Sequence, residues 1–183
     1  MLLELEKVLG RRTLIYGETG VGKTRLLAEL IKMLSMNGLG ELITIVDMAP
    51  KKMGMVGGEL TQYINVGGLR YLRPAMVYAP RLLACNSDDV KRYVSHNVMA
   101  LEEELRRYLS SPTEILAIND VSIFLHGRRA EDIMNYIRLA KTFLGSCYYG
   151  LRLVEDYGSG LSRWEKMQVE KLMEWMDNRI HLS

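Results

Sequence analysis

The sequence contains little cysteine and histidine, and it has no long apolar run. Two cysteines, Cys85 and Cys147, are too few for a disulfide framework or a metal–thiolate cluster, so we expect both to be reduced thiols. No stretch approaches about eighteen consecutive apolar residues, which argues against a membrane-spanning helix. The three histidines, at positions 96, 126 and 181, are too scattered to predict a metal site.

The sequence also lacks a strong excess of either charge. The formal net charge is +2, so nothing global requires nucleic acid, an anionic membrane or an acidic substrate as a partner. The first thirteen residues, MLLELEKVLGRRT, lack the basic start and the cleavage site of a signal peptide, and we therefore expect a cytoplasmic protein. A hydrophobic content of 48% in 183 residues predicts one globular domain over 1–183.

The most informative stretch is YGETGVGKT, residues 16–24, which matches the phosphate-binding pattern G-x-x-x-x-G-K-[ST]. Glycine permits the torsions that turn successive backbone N–H groups toward one anion, and the N-terminus of a following helix adds further donors. The pattern therefore predicts a nucleotide-binding loop. Its expected binding residues are Gly17, Glu18, Thr19, Gly20, Val21, Gly22, Lys23, Thr24 and Arg25.

The last two residues of the motif have separate expected roles. Lys23 would reach the β- and γ-phosphates as a mobile positive charge, and the Thr24 hydroxyl is suited to coordinate Mg²⁺. The surrounding sequence supports this interpretation because the apolar run 13–16 predicts a strand before the loop and the spacing of Leu26 to Leu34 predicts a helix after it. ATP and Mg²⁺ are the expected cofactors.

The remaining pattern alternates between strands and helices. Apolar or β-branched runs predict strands at 13–16, 41–47, 75–79, 114–120, 146–154 and 179–182, the fifth being favoured over a continued helix. Further helices are predicted over 88–109, over 130–144, and after an S-x-x-E capping box formed by Ser162 and Glu165. This alternation predicts a three-layer α/β fold with a mostly parallel sheet and helices on both faces.

One glycine-rich segment, 53–74, interrupts this alternation, and we expect either a mobile loop or a small excursion from the sheet. The overlapping stretch 60–87 has arginines interleaved with tyrosines and contains no acid. Such a stretch is commonly an ordinary solvated loop, but it also suits contact with single-stranded nucleic acid or an arginine that completes a neighbouring subunit's site. The residues are Arg70, Arg73, Arg81, Tyr63, Tyr71 and Tyr78.

Two acids stand at the carboxyl ends of predicted strands, where ligands collect in parallel sheets. Asp120 follows ILAIN and would hold Mg²⁺ through a water, while Asp47 follows LITIV and would lie near the loop if its strand is close to the first. Either acid could instead cap the segment that follows it.

The sequence resembles a P-loop NTPase and is most similar to the RecA/KaiC-like ATPases. The resemblance is carried by LEKVLGRRTLIYGETGVGKT at 5–24, LITIVD at 42–47 and EILAINDVSIFL at 114–125, and it covers roughly 5–50 and 113–125, about a third of the chain. It implies that Asp120 is the Walker B aspartate and that these proteins' water-positioning acid corresponds to Asp47, which together with Lys23 would be catalytic. ATPases of this kind often act between subunits, so a homo-oligomer is one of the assemblies that the resemblance allows.

The sequence departs from this family where the family usually has a glutamate. No glutamate follows Asp120, and Asp47 is one methylene shorter than the usual acid, which puts fast hydrolysis in doubt. The leading expectation is an Mg²⁺-dependent ATPase that couples hydrolysis to a change of conformation or partner. A small-molecule kinase with Asp47 near its acceptor and 126–129 as a lid is the second, and a non-enzymatic nucleotide-gated switch is the third.

Other branches of the superfamily lack support in the sequence. No [NT]-K-x-D tetrapeptide is present, so guanine specificity is not expected, and no LSGGQ-like signature of ABC ATPases occurs.

Overall fold

The computed structural model describes residues 5–54 and 56–183. Its strands are β1 (Arg12–Gly17), β2 (Ile43–Asp47), β3 (Arg70–Leu72), β4 (Ile115–Asn119), β5 (Thr142–Tyr148) and β6 (Asn178–Leu182). Its helices are α1 (Lys23–Leu34), α2 (Pro80–Leu83), α3 (Ser87–Leu109), α4 (Ser122–Leu125), α5 (Ala130–Ile137) and α6 (Leu161–Glu174).

All six strands are parallel and form one sheet in the order β3-β2-β4-β5-β1-β6. The strand β1 leads into the phosphate loop and is separated from β4 by β5 alone. Because the strands are parallel, their carboxyl ends meet at one edge of the sheet, and that edge carries the phosphate loop and the ends of β2 and β4.

Helices cover both faces of the sheet, as alternation of side chains along a strand requires. Leu14 faces the layer that contains α3, α4, α5 and α6, while its neighbour Ile15 faces the layer that contains α1. In β4, Leu116 and Ile118 belong to the first of these cores and Ala117 belongs to the second. The predicted three-layer α/β fold is therefore confirmed.

The strand predicted at 75–79 does not form, and the edge strand is instead β3, which was not predicted from the sequence. The apolar run is pinned to α3 by an amide: Asn97 Oδ1 accepts the backbone N–H of Tyr78 at 2.8 Å, and Asn97 Nδ2 donates to its carbonyl at 2.9 Å. These two hydrogen bonds satisfy the backbone N–H and carbonyl of Tyr78, which would otherwise pair with a neighbouring strand of the sheet. The strand β3 lies within the glycine-rich segment 53–74 and pairs with β2; whether that segment is a mobile loop or a small excursion stays a prediction.

Two predicted boundaries near α5 and β5 were also wrong. The helix predicted over 130–144 ends at Ile137, and the strand predicted over 146–154 runs from Thr142 to Tyr148. The apolar residues that seemed to continue the helical stripe belong to the strand, because a short apolar run does not distinguish the two structures.

The predicted capping box of Ser162 and Glu165 is wrong as well. Helix α6 begins at Leu161 after Gly160, so Ser162 lies inside its first turn. The backbone N–H of Ser162 donates to Asp156 Oδ2 at 2.8 Å, and the Glu165 carboxylate binds Arg81 and His126 instead of the helix terminus.

Within the described ranges, none of the helices is long and apolar enough to cross a bilayer.

Candidate functional site

The phosphate loop connects β1 directly to α1. Gly17 ends the strand at φ 148°, and Gly20 and Gly22 have φ values of 79° and 95°, which side chains other than glycine rarely adopt. Gly17 is also fixed by its neighbour strand, because a Cβ at this position would lie 2.1 Å from the carbonyl oxygen of Leu182 in β6. The glycines of the motif are therefore required by the fold of the loop.

The Lys23 ammonium group folds back onto the loop in this structure. Its Nζ donates to the carbonyl oxygens of Gly17, at 3.0 Å, and of Glu18. Burial lowers the pKa of Lys23 below its ordinary value, while the negative charges of the neighbouring Asp120 and Glu18 carboxylates oppose that shift. A phosphate group would offer this cation stronger acceptors than backbone carbonyls do.

A pocket of about 260 Å³ lies over the loop. Six of the nine residues expected to bind nucleotide line it: Thr19, Gly20, Gly22, Lys23, Thr24 and Arg25. Its remaining walls come from the carboxyl edge of the sheet and from the segment after β2, including Ala49, Lys52, Tyr63, Asp120, Ser146 and Tyr148. Gly17, Glu18 and Val21 belong to the loop without forming the pocket wall.

Thr24 contacts Asn119, the last residue of β4, which was not predicted as a site residue from the sequence. Thr24 Oγ1 donates to Asn119 Oδ1 at 3.2 Å, and Ser146 Oγ donates to the same oxygen at 3.0 Å. A neutral amide thus contacts the threonine that is predicted to bind metal, where an aspartate was expected. The position of Asn119 at the end of a predicted strand could have identified it, because ligands collect there. The metal-binding role was instead predicted for the adjacent acid, Asp120.

Asp120 lines the pocket one residue after the strand. Its backbone has φ 60°, uncommon for a residue other than glycine, and its N–H donates to Ser146 Oγ at 3.0 Å. Its carboxylate accepts the hydroxyl of Ser122 at 2.5 Å. Burial raises the pKa of Asp120 above its ordinary value, and the bond from Ser122 and the charge of Lys23 partly offset that rise.

Asp47 is fully buried, and its carboxylate is engaged away from the pocket. It accepts four hydrogen bonds and lies 3.6 Å from a guanidinium nitrogen of Arg73. The four donors are the backbone N–H groups of Ala49 and Leu60, the hydroxyl of Tyr71 and the amide of Asn119. The water-orienting role expected for Asp47 stays a prediction, and it would require some of these bonds to open.

The arginines of 60–87 are occupied within the chain. Arg70 donates to the carbonyls of Ser111 and Arg107, Arg73 pairs with Glu59 at 2.9 Å, and Arg81 pairs with Glu165 at 2.5 Å. Of the interleaved tyrosines, Tyr63 lines the phosphate pocket, Tyr71 bonds Asp47, and Tyr78 packs on Tyr93 and His96.

The residues expected to form a lid at 126–129 are similarly engaged. His126 Nε2 lies 2.8 Å from the Glu165 carboxylate, and both side chains are buried. Arg128 pairs with Glu102 of α3 at 2.6 Å. Neither side chain lines the pocket over the loop.

The chain is similar in structure to known proteins, although its sequence identity to them is low. No family model matches the chain, and no curated protein does. One similar solved structure is the flagellar accessory protein FlaH from Methanocaldococcus jannaschii, at 14% identity and a TM-score of 0.54, covering 95% of this chain and 71% of that chain. Another is Pif1 helicase from Candida albicans, at 17% identity and a TM-score of 0.41, covering 100% of this chain and 39% of that chain.

Proposed function

Because this chain has the fold of the RecA-like P-loop NTPases, we propose that it binds ATP with Mg²⁺, hydrolyses it and uses the cycle to change its conformation or its partner. The observation that carries the proposal is the placement of Lys23, Thr24 and Asp120 around one pocket. A cation for the phosphates, a hydroxyl for the metal and an acid opposite them are the groups that phosphoryl chemistry needs.

The side chains near Thr24 fit a magnesium ion. The Thr24 hydroxyl, the Asn119 amide oxygen, the Ser146 hydroxyl and the Asp120 carboxylate supply oxygen ligands of the kind that Mg²⁺ prefers, directly or through water. When bound, the ion would neutralise charge that develops on the phosphates. Backbone N–H groups of 17–22 and the Lys23 ammonium group would bind those phosphates from the other side.

Asp120 is the acid best placed to act on water near the γ-phosphate. It lines the pocket, where its carboxylate can accept a proton from a water molecule. It could also hold the metal through a water, as its position after β4 suggests. Asp47 would enter the chemistry only after leaving its present hydrogen bonds.

A route for coupling runs through Asn119. Its oxygen contacts Thr24, and its amide nitrogen donates to Asp47 at 2.8 Å and to the carbonyl of Gly58 at 3.0 Å. Asp47 in turn holds the segment that leads to β3 through Leu60 and Tyr71. A ligand that draws Thr24 away from Asn119 would therefore act on the segment 58–72.

The test is ADP production by the purified protein with ATP and with GTP, in Mg²⁺ and in excess chelator, with and without single-stranded nucleic acid. We expect turnover with ATP that requires Mg²⁺ and is lost in Lys23→Ala, since this variant loses a charge-assisted contact worth about 1.5–3 kcal/mol. Binding and turnover that survive Lys23→Ala would place the site elsewhere.

A small-molecule kinase is the second candidate, and one observation favours it. A pocket of about 270 Å³ adjoins the phosphate pocket and shares Tyr148 and Leu153 with it, which gives room for a small acceptor. A metabolite that turns ATP into ADP much faster than water does would support this function.

A nucleotide-gated switch without hydrolysis is the third candidate. The neutral Asn119 beside Thr24 and the absence of a glutamate after Asp120 favour slow chemistry. This candidate predicts tight ATP binding with negligible ADP production even in excess Mg²⁺.

A further inference from the structure

Glu18 belongs to the phosphate loop, but its carboxylate binds a different part of the chain. Oε1 accepts the backbone N–H groups of Leu151 and Arg152, the latter at 3.2 Å, and lies 3.3 Å from the hydroxyl of Tyr148, which donates to it. These partners lie in the turn 148–153, which begins at Tyr148, the last residue of β5. The loop and this turn are therefore joined through one side chain.

The junction between them is close. A Cβ added to Gly150 would lie 1.4 Å from Glu18 Oε1 and 2.2 Å from its Cδ, so any larger residue at 150 would displace the carboxylate. The turn also forms part of the phosphate pocket, because Tyr148 and Leu153 line it. The Leu153 N–H donates to the Tyr148 hydroxyl at 2.9 Å, which closes the turn on itself.

Arg152 is held at this junction by a weak contact. Its Nε lies 3.4 Å from Glu18 Oε2, and 63% of its side chain is exposed. Within residues 5–54 and 56–183, the buried Oε2 atom has no hydrogen-bond partner. Arg152 is thus a guanidinium beside the phosphate pocket whose charge is only partly neutralised.

A nucleoside triphosphate would compete for this guanidinium. A terminal phosphate carries more negative charge than one carboxylate, and it matches the planar fork of arginine with two parallel hydrogen bonds. Arg152 does not itself line the pocket, but Thr19, which follows Glu18, and Leu153, which follows Arg152, both line it. The guanidinium of Arg152 can therefore bind a phosphate, and its neighbours in the structure line the pocket where a phosphate is expected.

We propose that Arg152 contacts the terminal phosphate of a bound nucleoside triphosphate, and that Glu18 holds it beside the pocket until that phosphate arrives. The turn 148–153 would then change its contacts with the phosphate loop when a third phosphate is bound. This inference rests on the proposed nucleotide binding, and it adds discrimination between triphosphate and diphosphate.

The test is the affinity of the full chain for MgATP and for MgADP, measured by calorimetry. Arg152→Ala should weaken MgATP about tenfold and leave MgADP within about twofold, because only the triphosphate loses a charge-assisted contact. Arg152→Lys should lie between the two, since lysine keeps the charge without the fork. Arg138→Ala, at an exposed arginine after α5, is the matched control and should change neither affinity.

Two further variants test the contact between Glu18 and Arg152. Glu18→Gln removes the charge that competes for Arg152 and should strengthen the binding of MgATP relative to that of MgADP. Gly150→Ala should change the ratio of the two affinities in the same direction, because its Cβ displaces the Glu18 carboxylate from Arg152. Equal effects of Arg152→Ala on both nucleotides, or none, would overturn the inference while leaving nucleotide binding intact. A wild-type chain that binds neither nucleotide would overturn both.

Discussion

The side-chain amide of Asn119 donates to Oδ1 of the buried Asp47 at 2.8 Å. The oxygen of the same amide accepts the hydroxyl of Thr24 at 3.2 Å. A carboxylate could not replace it here, because an ionised acid accepts hydrogen bonds but donates none. The amide thus joins the phosphate loop to a buried acid that holds the segment after β2.

Asn119→Asp should therefore destabilise the chain without nucleotide. Two carboxylates would face each other in a buried site, and we expect a loss of about 2–4 kcal/mol in the free energy of unfolding. MgATP should restore part of this loss, since a divalent cation would neutralise the new charge. Denaturant unfolding with and without MgATP measures both effects, and Asn135→Asp on the exposed surface of α5 is the control. A variant as stable as the wild type would contradict the direct Asn119–Asp47 contact.

Asp47→Asn and Asp120→Asn should separate stability from chemistry. Asp47→Asn weakens four hydrogen bonds to a buried carboxylate and should cost about 2–4 kcal/mol of stability. Asp120→Asn removes the acid of the pocket and should lower ADP production by about a hundredfold or more, with little loss of stability. If Asp47→Asn folds as well as the wild type and loses only turnover, Asp47 orients the water.

The buried pairs of Glu165 should make stability depend on pH. Burial opposes ionisation of Glu165, but His126 and Arg81 outweigh it and hold the pKa of its carboxyl below the ordinary value of 4.5. A depressed pKa in the folded state means that the stabilisation is complete above the unfolded pKa and is lost as pH falls through the folded value.

The measurement is the free energy of unfolding of the wild type and of Glu165→Gln between neutral pH and about pH 3. The wild type should be more stable by about 3 kcal/mol at neutral pH, and the difference should shrink as Glu165 is protonated. Glu103→Gln, at an exposed position of α3, should show no such trend. A difference that stays constant with pH would mean that the carboxyl contributes through shape instead of charge.

Gly17→Ala and Gly10→Ala should separate a steric clash from backbone strain. Both glycines have positive φ, but a Cβ at Gly10 meets nothing within 4 Å, whereas one at Gly17 would lie 2.1 Å from the Leu182 carbonyl. We expect a cost of about 1 kcal/mol at Gly10 and about 3 kcal/mol or more at Gly17, with loss of nucleotide binding only at Gly17. Thermal unfolding and ATP titration test this, and equal costs would show that β6 yields to the added methyl group.

The sequence was sufficient for the parts of the structure that depend on local pattern. The motif at 16–24 identified the phosphate loop, and the runs at 41–47 and 114–120 identified β2 and β4, because buried parallel strands read as continuous apolar segments. The loop's position between a strand and a helix followed from the same pattern, and the structure confirms it.

The features that the sequence did not reveal depend on long-range contacts. Asn119 takes its role from Thr24 and Asp47, which lie 95 and 72 residues away, and Glu18 takes its role from a turn 133 residues away. The run 75–79 has the composition of a strand but is held by Asn97 instead. Local sequence propensity carries no information about partners that are distant in sequence, so these contacts are identified only in the folded structure.

The close approach of Gly17 to Leu182 has a consequence for the order in which the chain is made. The loop that would bind phosphate is synthesised early, but the strand that flanks it, β6, is the last in sequence. A nascent chain still emerging from the ribosome therefore carries an unfinished loop with one open flank. Nucleotide should bind only after residues 178–182 have been synthesised and have paired with β1.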